Sequence, residues 1–182
     1  ATDTNALPLS DAGLTSTGKT TLAAAGGTRL AGSALVAGTD LAVSAASLLD
    51  TASASGMANN NLRRAGGALS LAVGDGASLG ATEWSAAGAW NGNFGNLVTT
   101  GATKLYSSGG TLIASADKGD LALGLAVLQS AGNMALTSSG KISTATGGVL
   151  QSQGGNLLLT AGSGMSNAGT MTADKGSVTV RA

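Results

Sequence analysis

Apolar residues recur along the last third of the chain in a fixed relation to glycine. Gly132-Asn133-Met134-Ala135-Leu136, Gly155-Asn156-Leu157-Leu158-Leu159 and Gly176-Ser177-Val178-Thr179-Val180 each give glycine, a small polar residue, then two large apolar residues with one position between them. Met134, Leu157 and Val178 stand 23 and 21 residues apart. Ile142 and Met165 each follow their block's first apolar residue by eight positions, and Leu150 and Met171 each precede the next block by seven. Alternation over such short stretches is the mark of a strand buried on one face. Three matched apolar positions per period, separated by turn residues, predict three short strands in each coil of a solenoid.

The template extends upstream. Val127 precedes Met134, Leu105 precedes Leu112, Leu62 precedes Leu69 and Trp90 precedes Leu97, each by seven positions. Blocks therefore start at Leu22, Leu41, Leu69, Leu97, Leu112, Met134, Leu157 and Val178, with spacings of 19, 28, 28, 15, 22, 23 and 21. The second 28 and the 15 meet at Leu97 and together span about two coils, which marks a slipped register there. Ala42 to Leu49 also scores as a short helix. It lacks caps and has about the minimum helical length, so strands and turns are the better assignment.

Composition narrows this to one architecture. Thirty glycines, one proline and only four aromatic residues in 182 do not make an ordinary globular core, since average glycine usage is roughly 7%. A coil of 21–23 residues this rich in glycine is too short for a helix pair. The expectation is an all-β parallel β-helix of about eight coils, taken as right-handed by analogy with known β-helices. Parallel strands stacked at about 4.8 Å would make it a rod roughly 40 Å long. Residues 1–182 are expected to be one solenoid segment of a longer chain, with irregular insertions near 52–66 and 80–106.

Charge and reactive chemistry exclude several functions. Nine basic and nine acidic residues cancel, and no basic run exceeds Arg63-Arg64, so the electrostatic footprint of a nucleic-acid binder is missing. Without cysteine or histidine there is no disulfide, usual zinc site, thiol nucleophile or Ser-His-Asp triad. No stretch approaches the roughly 18 continuous apolar residues of a membrane helix, and membrane insertion is not expected. Gly13-Leu14-Thr15-Ser16-Thr17-Gly18-Lys19-Thr20 fits the phosphate-loop pattern at every position. That motif needs a buried strand before it and a helix after it. Here Pro8 interrupts the first and Gly26-Gly27 the second, so a turn of a coil is expected instead. Polysaccharide hydrolysis would need paired carboxylates on adjacent coils, and Asp40, Asp50, Asp75, Glu83, Asp117, Asp120 and Asp174 are dispersed, mostly at expected turns. No catalytic residue, cofactor or metal ligand is assigned.

Two stretches are candidates for partner binding. Ala58 to Arg64 lengthens one coil with a polar run, and loops are where repeat proteins place binding functions. Asn59, Asn60, Asn61, Arg63 and Arg64 are its candidate residues; the plainer reading is a solvated turn whose asparagines accept left-handed geometry. All four aromatics, Trp84, Trp90, Phe94 and Tyr106, fall within 80–106. Asn91-Gly92 between apolar neighbours signals a hairpin. The rings either project toward a receptor or glycan, or pack inside a widened coil.

Gly155-Asn156-Leu157-Leu158-Leu159-Thr160-Ala161, followed by Asn167-Ala168-Gly169-Thr170-Met171, resembles the filamentous haemagglutinin repeat. In that repeat a G-x-L-x-L-x-A strand precedes an N-x-G-x-[ILM] strand. The resemblance is good over 132–182 and fair over 38–49 and 66–73, and 80–106 departs from it. It implies a two-partner-secretion exoprotein of Gram-negative bacteria, either a large adhesin or the stalk of a contact-dependent inhibition toxin. Such a protein would leave the cell through an outer-membrane transporter partner and be displayed at the bacterial surface. The family's secretion signature is not visible, so this is not expected to be the transport domain. The resulting expectation is a structural rod without enzymatic activity, and second a receptor- or glycan-binding segment within that rod.

Overall fold

A computed structural model describes residues 7–52 and 61–182. Among these residues there are strands and turns and no helix, and every strand pairing is parallel. The chain winds through three faces in turn, laying one strand on each per coil. Eight strands stack on each face, so the parallel β-helix of about eight coils is what the chain forms.

The first face runs from Thr20–Ala23 through Trp90–Phe94, Leu112–Ala116, Met134–Ser138 and Leu157–Ala161 to Val178–Arg181. The second runs from Leu7–Ser10 through Leu97–Thr100 and Leu121–Gly124 to Met165–Asn167. Two long strands, Leu41–Thr51 and Leu69–Gly80, pass from the first face to the second and join them into one 14-stranded sheet. The third face is a separate eight-stranded sheet from Gly13–Ser16 to Thr170–Ala173. Ala42 to Leu49, with its marginal helical score, lies wholly within the first of these long strands.

The register corrects the expected block starts. Leu41, Leu69, Trp90, Leu112, Met134, Leu157 and Val178 are direct partners in one ladder. Trp90 thus occupies the leucine position of its coil, and Leu97 belongs to the second face between Ala77 and Leu121. The coils from Leu69 to Trp90 and on to Leu112 are 21 and 22 residues long. The stretch 80–106 is therefore regular and holds no insertion. The 28 residues from Leu41 to Leu69 are the long coil. Upstream, Thr20 and not Leu22 faces Leu41. On the third face Leu128 faces Leu105 and Arg63 faces Leu35, so Val127 and Leu62 lie one position off the buried row.

Turn chemistry explains the Gly-polar-apolar blocks. Asn133 Oδ1 accepts the backbone N–H of Asn156 at 2.8 Å, and Asn156 Oδ1 accepts that of Ser177 at 3.0 Å. Asp40 does the same for Ala68 at 2.9 Å, and Asp120 for Lys141 at 2.7 Å. Each polar side chain thus satisfies a backbone donor at the strand entry of the next coil. At the corner after the third face, a methyl group on Gly66 would collide with the Gly38 carbonyl beneath it. Close coil stacking therefore requires glycine at that position.

The ladders make one continuous core from Leu22 to Ala161. Burying each leucine contributes about 1.5–3 kcal/mol. Trp90–Phe94 is a single parallel strand and not the expected hairpin. Trp90, Gly92 and Phe94 point inward, alternating with exposed Asn91 and Asn93. A Cβ on Gly92 would lie 2.5 Å from Phe94 Cε2 and 2.8 Å from Trp90 Cη2. The glycine supplies the volume its two flanking rings occupy, and with it the hairpin signal becomes a packing device.

Candidate functional site on the third face

The structure separates the sequence candidates into interior and exterior. Trp84, Trp90 and Phe94 have 0% exposure, so these three rings pack the core and form no binding patch. Arg63 is also 0% exposed and cannot serve on a surface loop. Asn59 and Asn60 lie outside the described residues. Asn61 is half-buried and its carbonyl accepts the Glu83 N–H at 3.0 Å. Tyr106 is half-buried and Arg64 exposed.

Arg63 is inside because strand alternation puts Arg63 and Ala65 inward and Arg64 outward. It sits in the ladder between Leu35 and Trp84. Its Nη2 donates to Asp50 Oδ1 at 2.5 Å, its Nη1 donates to the Ser33 carbonyl, and its guanidinium carbon lies 5.8 Å from the centre of the Trp84 ring. The Trp84 indole N–H donates to Asp50 Oδ2 at 2.8 Å. Asp50 lies on the second face between Leu30 and Leu79, in a strand and not at a turn. Burial raises its carboxyl to about 6, although the Arg63 charge and the hydrogen bonds from Arg63 and Trp84 pull it down. Burial likewise lowers the Arg63 guanidinium, against the pull of Asp50. The cluster is closed to solvent and holds charge within the rod.

Outside, the third face brings together two sequence candidates that the chain order keeps 42 residues apart. Arg64, Ser85, Tyr106, Gln129 and Gln151 are successive partners in one outward row. A shallow groove of about 340 Å³ runs beside it, with Arg64, Tyr106, Gln129, Ser108 and Gln153 among its walls. Gln129 Nε2 donates to Gln151 Oε1 at 2.9 Å, and Gln151 Nε2 donates to Asp174 Oδ2 at 2.8 Å. An ionised carboxylate only accepts, so Asp174 fixes the direction of both amides. One N–H of the Gln129 amide is used on Gln151, which orients Gln129 Oε1 away from that partner as an acceptor. Sequence reasoning missed both glutamines, although Val-Leu-Gln-Ser appears at 127–130 and again at 149–152, one coil later.

A second groove, of about 380 Å³, lies beside Asn61, Thr82, Glu83 and Lys104. Its Glu83 and Lys104 pair across 4.0 Å and are both partly exposed. The phosphate-loop pattern falls on the strand Gly13–Ser16, a turn and the strand Thr20–Ala23, with the Gly18 N–H already donating to Ser16 Oγ at 3.1 Å. Among the described residues no group of three acidic, histidine or cysteine side chains could hold a metal ion.

Comparison of the chain with protein-family models, curated proteins and solved structures gives no match.

Proposed function

We propose that the chain is a stalk segment of a secreted, surface-displayed filamentous protein, an adhesin or a contact-dependent toxin-delivery protein, and that it holds an active tip away from the cell. The observation that carries this reading is the uninterrupted stack. One core runs through eight coils whose strands pair only with the coil above and below, so length is added without new chemistry. The resemblance of residues 132–182 to a haemagglutinin repeat supports a filament of this class, exported by an outer-membrane transporter. The test is a filament in which the coil Met134–Asn156 is deleted. The expected product is shorter with tip activity retained, and loss of that activity in a folded variant would defeat the stalk reading.

A second reading, a receptor- or glycan-binding segment within the filament, is favoured by one observation. Arg64 and Tyr106 share an outward row on the third face, beside a groove.

A further inference from the structure

We propose that the third face binds an acidic oligosaccharide of the uronic-acid type across Arg64, Tyr106 and Gln129, an inference that rests on the second reading above. Tyr106 and Gln129 lie one strand apart, at about 4.8 Å, and Arg64 lies two strands, about 10 Å, from Tyr106 with Ser85 between them; each strand step is close to the advance of one sugar along a linear glycan. Tyr106 is half-buried. It lies between Ser85 and Gln129 on the adjoining strands, and a tyrosine ring, with only two side-chain torsions, stacks on the C–H face of a sugar at low entropic cost. Gln129 Oε1 is held as an acceptor by the hydrogen-bond chain that ends on Asp174, and sugar hydroxyls are donors suited to it.

Charge selects the kind of sugar. Arg64 is the one charged side chain lining this groove, and it forms no ion pair among the described residues. The nearby opposite charges on this face, Glu83 and Lys104, are matched to each other. A planar guanidinium binds carboxylate through two parallel hydrogen bonds, so the site is complementary to a sugar that carries a carboxylate. The outward residues between the polar groups are small, Ser85, Ala87 and Ser108, which leaves room for a ring to lie flat.

The test is titration calorimetry of the whole chain with three probes: a galacturonic acid oligomer, its neutral methyl ester, and an oligoglutamate peptide of equal charge. The expected result is saturable binding of the acid oligomer, with the ester and the peptide each weaker by roughly tenfold or more. Arg64→Gln should reduce affinity for the acid oligomer by a similar factor and leave the ester unchanged. Tyr106→Ala should weaken both sugars. Gln129→Ala, a smaller truncation at a position half-buried like Tyr106, should do the same and serves if Tyr106→Ala does not fold. Equal affinity for acid and ester, or indifference to Arg64→Gln, would overturn the acidic assignment while the glycan-binding reading stands. No binding of either sugar by the folded chain would overturn both, and preference for the peptide would replace the sugar with a protein partner.

Discussion

Arg63 Nη2 stands 2.5 Å from Asp50 Oδ1, and neither side chain has any exposure. A paired charge in a rod interior built mainly of apolar side chains costs desolvation on both members, which attraction repays only with good geometry and further hydrogen bonds. Trp84 and the Ser33 carbonyl supply those bonds. The pair also spans the long coil: Asp50 precedes the residues outside the description, 53–60, and Arg63 follows them. Arg63→Met alone leaves Asp50 buried without its cation and should lower stability by about 3–5 kcal/mol. Arg63→Met with Asp50→Leu continues both ladders and should come within about 1 kcal/mol of wild type or exceed it. Urea unfolding of the two variants and wild type measures both. A single variant as stable as wild type would show the pair to be dispensable.

The same pair makes stability depend on pH. The Asp50 carboxyl lies at about 6 in the folded protein against 3.8 for the free side chain. The folded state therefore takes up a proton before the unfolded state does. The contribution of Asp50 is fully present below 3.8 and is lost as pH rises through 6. Between pH 7.5 and pH 5 it should add about 1 kcal/mol. Carboxyl chemical shifts followed by NMR should show one Asp titrating near 6 and should place it at position 50. An Asp50 that titrates at or below 4 would contradict this.

Gly92 is predicted to be intolerant of even one methyl group. An added Cβ would lie 2.5 Å from Phe94 Cε2, 2.7 Å from Phe94 Cζ and 2.8 Å from Trp90 Cη2. Both rings are themselves enclosed, so relief requires the strand or the rings to shift. Overpacking of this kind costs about 1–3 kcal/mol. Gly92→Ala should lower the urea midpoint accordingly, whereas Gly13→Ala, whose added methyl meets nothing within 4 Å, should change it little.

How far the fold was legible follows from these residues. Leu112, Met134 and Leu157 could be placed because glycine, a small polar residue and an apolar residue recur there at near-constant spacing, and the structure gives each element of that triplet a task. Trp90 was displaced by one strand because the pattern asked for leucine. The compensation by Gly92 and Ala114 that lets a ring fill the position depends on neighbouring coils. Arg63 was invisible as a core residue because what permits its burial, Asp50 and Trp84, lies on other strands. On the third face, Arg64 and Tyr106 were named separately; only the register puts them in one row with Gln129.

Modular stacking leads to a last prediction. Met134 and Leu157 are direct partners, as are Ala135 and Leu158, and Leu136 and Leu159. Deleting residues 134–156 therefore joins Asn133 to Leu157 in register. Leu112 then faces Leu157 on the first face, Leu121 faces Met165 on the second, and Leu128 faces Met171 on the third. Each replaces an apolar partner with an apolar partner. Asn156 is removed with the coil, and Asn133 takes its place before Leu157, where its Oδ1 is positioned to accept the Ser177 N–H as Asn156 does. The shortened chain should keep its β circular dichroism and a cooperative transition. Its rod should be shorter by about 4.8 Å, resolvable as a reduced radius of gyration in solution scattering. Deleting the same number of residues out of phase, 128–150, offers a control with equal loss of length and joins Val127 to Gln151. This reverses inward and outward positions at the junction, and the chain should unfold or aggregate. Equal stability of the two deletions would mean that the ladder register does not govern folding.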